Sequence, residues 1–197
     1  IKFDQKTEFD FSKDLYPLML SKNLPLYGYI ADGYWRDIGN LNEYQQGQFD
    51  AVAEKVQLEV KGKKKDNIAI GSNTKIAPTA KFFGNVIIGD NTIIEDYVEI
   101  TDSVIEDNVI IGTGSKIKRC TIWNDVKIGD FVELFDDVIC SHCKIGNSAT
   151  IFENVFISDY CIIGENTNLL PNIKLWPNKQ VHNGATLSRS LVQEEKW

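Results

Sequence analysis

The run Cys140-Ser141-His142-Cys143 gathers three metal-ligating side chains within four positions, more closely than anywhere else in the chain. A structural zinc site needs four such ligands, usually as two closely spaced pairs. No second pair stands at that spacing, since the remaining cysteines are Cys120 and Cys161, so a metal site is not expected here. His142 and His182 are the only histidines. Either suits general base chemistry near neutral pH, provided the fold holds it within hydrogen-bond reach of the proton it takes. No glycine-rich phosphate cradle occurs before Gly28. What these residues can do depends on the elements that place them.

Those elements follow from an internal period. Large apolar residues recur at Ile70, Ile76, Phe82, Ile88, Ile94, Ile100, Ile105 and onward to Val181, in steps of six except for three steps of five. A small or β-branched residue follows four positions after most of them, for example Val98, Val104, Thr121, Val138, Cys143 and Cys161. Two positions per hexad are therefore expected to face inward, with Cys143 stacked over Cys161. Gly71, Gly89, Gly112, Gly129, Gly146 and Gly164 come directly after a core isoleucine, where a bend calls for backbone freedom. A period of six excludes helices, whose apolar spacing is three and four. The shortened steps end at Ile105, Ile122 and Ile139, 17 residues apart, so one residue is missing at the same corner of successive three-sided coils. About six and a half coils of roughly 4.8 Å rise make a prism about 30 Å long.

This hexad pattern, from about Ile70 to about Val181, resembles the left-handed parallel β-helix, and the expected hand comes from that resemblance. Many proteins of that fold are acyltransferases with a histidine base beside a coenzyme A groove. They throw a loop out of the coil, whereas the hexads here run without insertion. An acyltransferase is one alternative function, with His142 and His182 as its candidate bases. A non-catalytic assembly module is another, because outward residues also line up. Phe135 and Phe152 lie 17 apart with Leu170 a further 18 on, and Trp123 and Trp176 fall together on a different face. Such stripes make Trp123, Phe135, Phe152 and Trp176 a candidate partner surface, or a seat for the amino-terminal helices.

The first sixty residues lack the period. Ser12 is placed to cap a helix running to about Asn23, with Asp14 in its first turn. Residues 26–30 and 34–38 read as two strands joined by Ala31-Asp32-Gly33. Asn40 or Asn42 opens a second helix to about Val56, with Leu41, Tyr44, Phe49, Val52 and Val56 on one side. Tyr34 and Trp35 read as packing residues. So small a segment cannot bury enough apolar surface to stand alone and needs a neighbour.

The stretch Asp10-Phe11-Ser12-Lys13-Asp14-Leu15-Tyr16-Pro17, then Gly28-Tyr29, Gly33-Tyr34-Trp35-Arg36-Asp37-Ile38-Gly39 and Tyr44, resembles the end of a sugar-phosphate nucleotidyltransferase domain. Followed by a β-helix, it is most similar to mannose-1-phosphate guanylyltransferases and the related glucose-1-phosphate enzymes. The resemblance implies chemistry that joins a nucleoside triphosphate to a sugar 1-phosphate with Mg²⁺ as cofactor, and it assigns Asp37 as a magnesium ligand. A carboxylate suits that hard ion. The alternative reading of Asp37 is an ion pair with Arg36 or another cation. The family's nucleotide loop and its sugar-phosphate lysine have no counterpart in the chain, so the chain alone is expected to be inactive. Leu187 to Val192 and Glu195 to Trp197 resemble the junction leading to a phosphomannomutase-like domain, which tilts the sugar toward mannose.

The expected organisation is a mainly β chain: residues 1–60 as a small α+β end of a nucleotidyltransferase domain, 61–187 as the β-helix, and 188–197 as tail or linker. The chain opens at Ile1 without methionine and reads as a piece of something longer. A formal charge of -7 spread along the sequence, with the one basic run at Lys61 to Lys65 in an expected linker, argues against nucleic acid or lipid surfaces as partners. No stretch reaches the roughly 20 apolar residues of a membrane span. Four cysteines, with no signal-peptide pattern, suit a reduced cytoplasmic compartment. A homo-oligomer is the expected state.

Overall fold

The computed structural model describes residues 8–57 and 62–192, and the chain divides into two compact units, Ile1–Trp35 and Arg36–Trp197.

The second unit is mainly β, a hexapeptide-repeat parallel solenoid of about seven turns. Three walls run its length. Face one begins at Ile68–Ile70 and ends at Lys174–Leu175, face two runs from Lys75–Ile76 to Gln180–Val181, and face three from residues 81–83 to Thr186–Leu187. Each wall holds seven parallel strands, most of them two or three residues long. Strands Lys81–Ile88 and Glu99–Ile105 run unbroken round the corner from face three to face one. At the amino-terminal end, Lys63–Lys65 pairs antiparallel with Ile68–Ile70 and closes that edge with lysines. At the other end Leu191 bridges to Leu175.

The core is the set of inward isoleucines, of which Ile88, Ile105, Ile122, Ile139 and Ile157 form one continuous column under face one. Corners turn on residues with positive φ, many of them asparagine or aspartate, the non-glycine types that tolerate this conformation best. The glycines after core isoleucines have a different reason from the one expected. Gly146 does not need positive φ; a methyl group there would lie 2.6 Å from the backbone nitrogen of Glu165 in the next coil. Glycine is required by the close approach of one coil to the next.

The shortened corners also differ from expectation. Losing one residue moves the inward position back by one, so Ser103, Cys120 and Asp137 point into the prism and are fully buried, in place of Val104, Thr121 and Val138. Each polar side chain there satisfies a backbone donor of the following coil. Ser103 Oγ accepts from Cys120 N at 3.0 Å and Asp137 Oδ1 from Val155 N at 2.9 Å. Thr92 and Ser115 do the same for Val109 and Val132 elsewhere in the core. Without these acceptors the N–H groups would be buried unpaired, each at a cost of about 1–3 kcal/mol.

Val104, Thr121 and Val138 face outward on face one and are nonetheless buried, because helix α2 (Leu41–Val52) lies over them. Asn40 caps it, accepting from Glu43 N at 3.0 Å. Its contact combines Leu41 and Tyr44 of the expected apolar side with amides that the sequence did not single out. Gln45 donates to the carbonyls of Arg119 (3.0 Å) and Asp137 (3.4 Å), and Thr121 donates to Gln48 Oε1 at 3.0 Å. Arg36 is ion-paired with Glu43 and, at 3.0 Å, with the buried Asp50, tying residues 36–40 back to the helix.

In the first unit Asp10, rather than Ser12, caps the helix, accepting from the backbone of Ser12 and Lys13. A single π-type turn, Phe11–Leu15, leads into α1 (Tyr16–Ser21), with Pro17 harmless in its first turn. The expected hairpin at 26–38 is not formed and Gly33 marks only a bend. Two short strands with no third to pair with are marginal. Tyr27, Tyr29, Ile30 and Trp35 are each at least 82% exposed, so this segment does not bury its own apolar side chains.

Candidate functional site

Asp37 lies on an exposed stretch between Arg36 and the α2 cap. Arg36 is engaged by Glu43 and Asp50. Among the described residues no three His, Cys, Asp or Glu side chains converge to hold a metal. A lone exposed carboxylate does not hold Mg²⁺ by itself, so the donors present here do not amount to a magnesium site.

Cys140 and Cys143 stand on opposite sides of the wall. Cys143 belongs to the core with Cys161 one coil on, as the period indicates, while Cys140 is buried outside that core on face one. They cannot share a metal. The Cys143 thiol donates to Ser158 O and the Cys161 thiol to Trp176 O. The Cys143 thiol is held up by its hydrogen bond to Cys161 and by burial, and burial pushes Cys140 up to about 12. Cys143 and Cys140 are therefore not thiolates near neutral pH, whereas Cys161 is lowered to about 7 by its hydrogen bond with Cys143 but is sealed in the core away from any substrate.

His142 occupies an exposed corner in the left-handed conformation, its ring stacked on Tyr160 with centroids 4.7 Å apart and its Nδ1 3.7 Å from an Asp125 carboxylate oxygen. His182 follows a face-two strand two coils further on. The fold does not bring the two histidines together.

Trp123 and Trp176 do share face one, in the outward column that also holds Glu106, Cys140 and Ser158. The column has two environments. Trp123 lies at the margin of α2 with its indole N–H buried beside the Tyr44 hydroxyl, whose pKa is raised by burial against the lowering effect of Trp123. Trp176, beyond the helix, is 44% exposed. Two concavities open where α2 begins. One, of about 520 Å³, has a mixed lining that includes Leu41, Gln45, Val138, Asn154, Val155 and Lys174. The other, of about 430 Å³, is formed by Leu41, Phe156, Ser158, Lys174, Trp176 and Pro177. Phe135 and Phe152 stand on face three, half-buried, stacked with Leu170.

Sequence reasoning missed Asp137, a carboxylate inside the prism whose pKa burial raises well above the ordinary value. Its signal was available, since it continues Ser103 and Cys120 at a spacing of 17. Gln45 and Gln48 carried no signal, because an amide on a helix reads as solvent-facing.

The domain family described as the EIF2B subunit epsilon LbH domain matches residues 65–169, more than half of the chain. The chain belongs to that family. The chain is also similar to curated glucose-1-phosphate adenylyltransferases. The match to the protein of Desulfitobacterium hafniense is 30% identical over 119 residues, covering 59% of this chain and 29% of the relative. For that of Haemophilus influenzae it is 31% over 137 residues, covering 59% and 30%. The chain thus spans about 30% of the length of the curated relatives it matches. Among solved structures, the UDP-N-acetylglucosamine acyltransferase of Francisella novicida aligns with a TM-score of 0.43 and 21% identity, over 64% of this chain and 63% of that one.

Proposed function

We propose that the chain is the carboxy-terminal part of a longer cytoplasmic protein that makes a nucleoside-diphosphate sugar from a nucleoside triphosphate and a sugar 1-phosphate. In it the LbH solenoid serves self-association rather than chemistry. The observation that carries this reading is the similarity to glucose-1-phosphate adenylyltransferases, which extends over 59% of this chain while occupying less than a third of each relative. The uncovered Tyr27, Tyr29, Ile30 and Trp35 support it, since they are what the end of a larger domain would leave exposed. In the longer protein Asp37 supplies one ligand to Mg²⁺, the rest of the donors coming from outside this chain.

For the substrates, the resemblance of Leu187 to Val192 to a phosphomannomutase junction favours GTP with mannose 1-phosphate. The relatives' names favour ATP with glucose 1-phosphate. The test is Mg²⁺-dependent pyrophosphate release by the full-length protein with each nucleotide and sugar phosphate in turn. Turnover with one pair, abolished by Asp37→Asn and absent from residues 1–197 alone, is the expected result. Turnover unchanged in Asp37→Asn overturns that ligand assignment, and no turnover with any pair overturns the proposed activity.

A further inference from the structure

The three outer walls differ in what they can meet. Face one is occupied by α2 along Val104, Thr121 and Val138. The outward column of face two reads Lys75, Ile93, Ile110, Lys127, Lys144, Ile162, Gln180, so stacked lysines split its isoleucines and leave no apolar run of three. Face three has two outward columns. One reads Lys81, Glu99, Lys116, Glu133, Thr150, Asn168, Thr186, with ion pairs Lys81–Glu99 at 3.6 Å and Lys116–Glu133 at 3.1 Å. The other reads Phe83, Thr101, Lys118, Phe135, Phe152, Leu170, Ser188. The charges run as far as Glu133 beside Phe135 and give way to Thr150 and Asn168 beside Phe152 and Leu170.

We propose that a second copy of this chain docks on the Phe135, Phe152 and Leu170 stripe of face three, antiparallel to the first, about a two-fold axis passing at Phe152. The proposal deepens the self-association part of the proposed function and rests on it. The charge pattern selects both occupant and direction. In the antiparallel arrangement Phe152 meets its own copy and Phe135 meets Leu170. Glu133 then faces Asn168, Lys118 faces Ser188 and Lys116 faces Thr186, so within these two columns no like charges are opposed. A parallel pair sets Lys118 against Lys118, or against Lys116 if the two columns interleave. An apolar centre with a polar margin is the composition of a stable interface, and a symmetric one repeats each contact twice.

The experiment is light scattering on the chain at concentrations up to the order of 100 µM, which saturates a micromolar complex. The expected mass is twice 22.3 kDa. Phe152→Lys, which places two ammonium groups on the axis, should return the mass to that of one chain while leaving the dilute melting temperature unchanged, and Phe152→Ser should weaken association without adding charge. Ile162→Lys on face two should leave the dimer intact. Mixing Phe135→Cys with Leu170→Cys under oxidation should give the crossed disulfide in preference to either symmetric one. A wild-type mass of one chain overturns self-association altogether. A dimer untouched by Phe152→Lys overturns only this face, and a preferred 135–135 disulfide overturns the antiparallel direction.

Discussion

Face one and face three obey the same alternation, yet Val138 on the first is 2% exposed whereas Phe152 on the third is left half-buried. The difference lies in neither strand. Both walls put a large residue inward and its neighbour outward, and among the described residues of this unit only face one has a helix laid on that neighbour. The side chains fit their cover. Where α2 docks, the outward residues are the compact Val104, Thr121 and Val138, over which amides reach the corner carbonyls. Where no described helix of this unit docks, they are Phe135, Phe152 and Leu170. A solenoid repeat therefore specifies which positions are inside and leaves open which outside positions are covered.

The largest effect expected from breaking this comparison is common to both faces. Ile122→Ala removes buried volume from the centre of the core and should cost about 2–5 kcal/mol, read as a lowered denaturant midpoint. Next, Val138→Lys should force a charge under α2 and cost on the order of 2–3 kcal/mol. Phe152→Lys, equivalent by position, should stay within about 0.5 kcal/mol in the monomer. Equal costs would mean that the faces are equally covered. Gln48→Ala should lose about 1 kcal/mol with Thr121 left unpaired, and Thr121→Val in that background should recover part of it.

Asp137 sharpens the comparison through pH. Burial raises its folded-state pKa above the unfolded value of about 3.9. Its contribution to stability is therefore fully present below that value and is lost as pH rises through the folded pKa. Asp137→Asn removes the titration, so the difference in stability should move in favour of the variant as pH rises from about 4 to 7. Movement the other way would mean that the carboxylate is stabilised as an anion by the Val155 and Phe135 N–H groups that it accepts from. The smallest effect is at the surface. Lys81→Ala breaks an exposed ion pair and should change stability by less than about 1 kcal/mol.

The solenoid was legible in the sequence because a strict period of six writes the same environment about twenty times, and the 17-residue spacing of the shortened steps fixed the three-sided coil. The inward residue at those corners was not legible by counting from the preceding isoleucine, because removing one residue shifts which side chain points in. Only the repeated placement of Ser103, Cys120 and Asp137 reveals it. The pairing of Phe135 with Phe152 and of Trp123 with Trp176 on separate faces follows from period alone. The hairpin expected at 26–38 was misread because an Asp-Gly turn signal says nothing of whether a third strand is present. The seat of α2 was only partly legible, because Leu41 and Tyr44 were read as its apolar side while Gln45 and Gln48, which bond to the corners, read as solvent-facing.

The most direct test of the account is thiol labelling of Thr121→Cys and Phe152→Cys chains, with the wild type and its four buried cysteines as background. In dilute native protein Cys at 152 should react freely while Cys at 121 stays protected until denaturant opens the domain, and reaction at 152 should slow as concentration rises. Equal rates at the two positions would contradict both the seating of α2 on face one and the openness of face three.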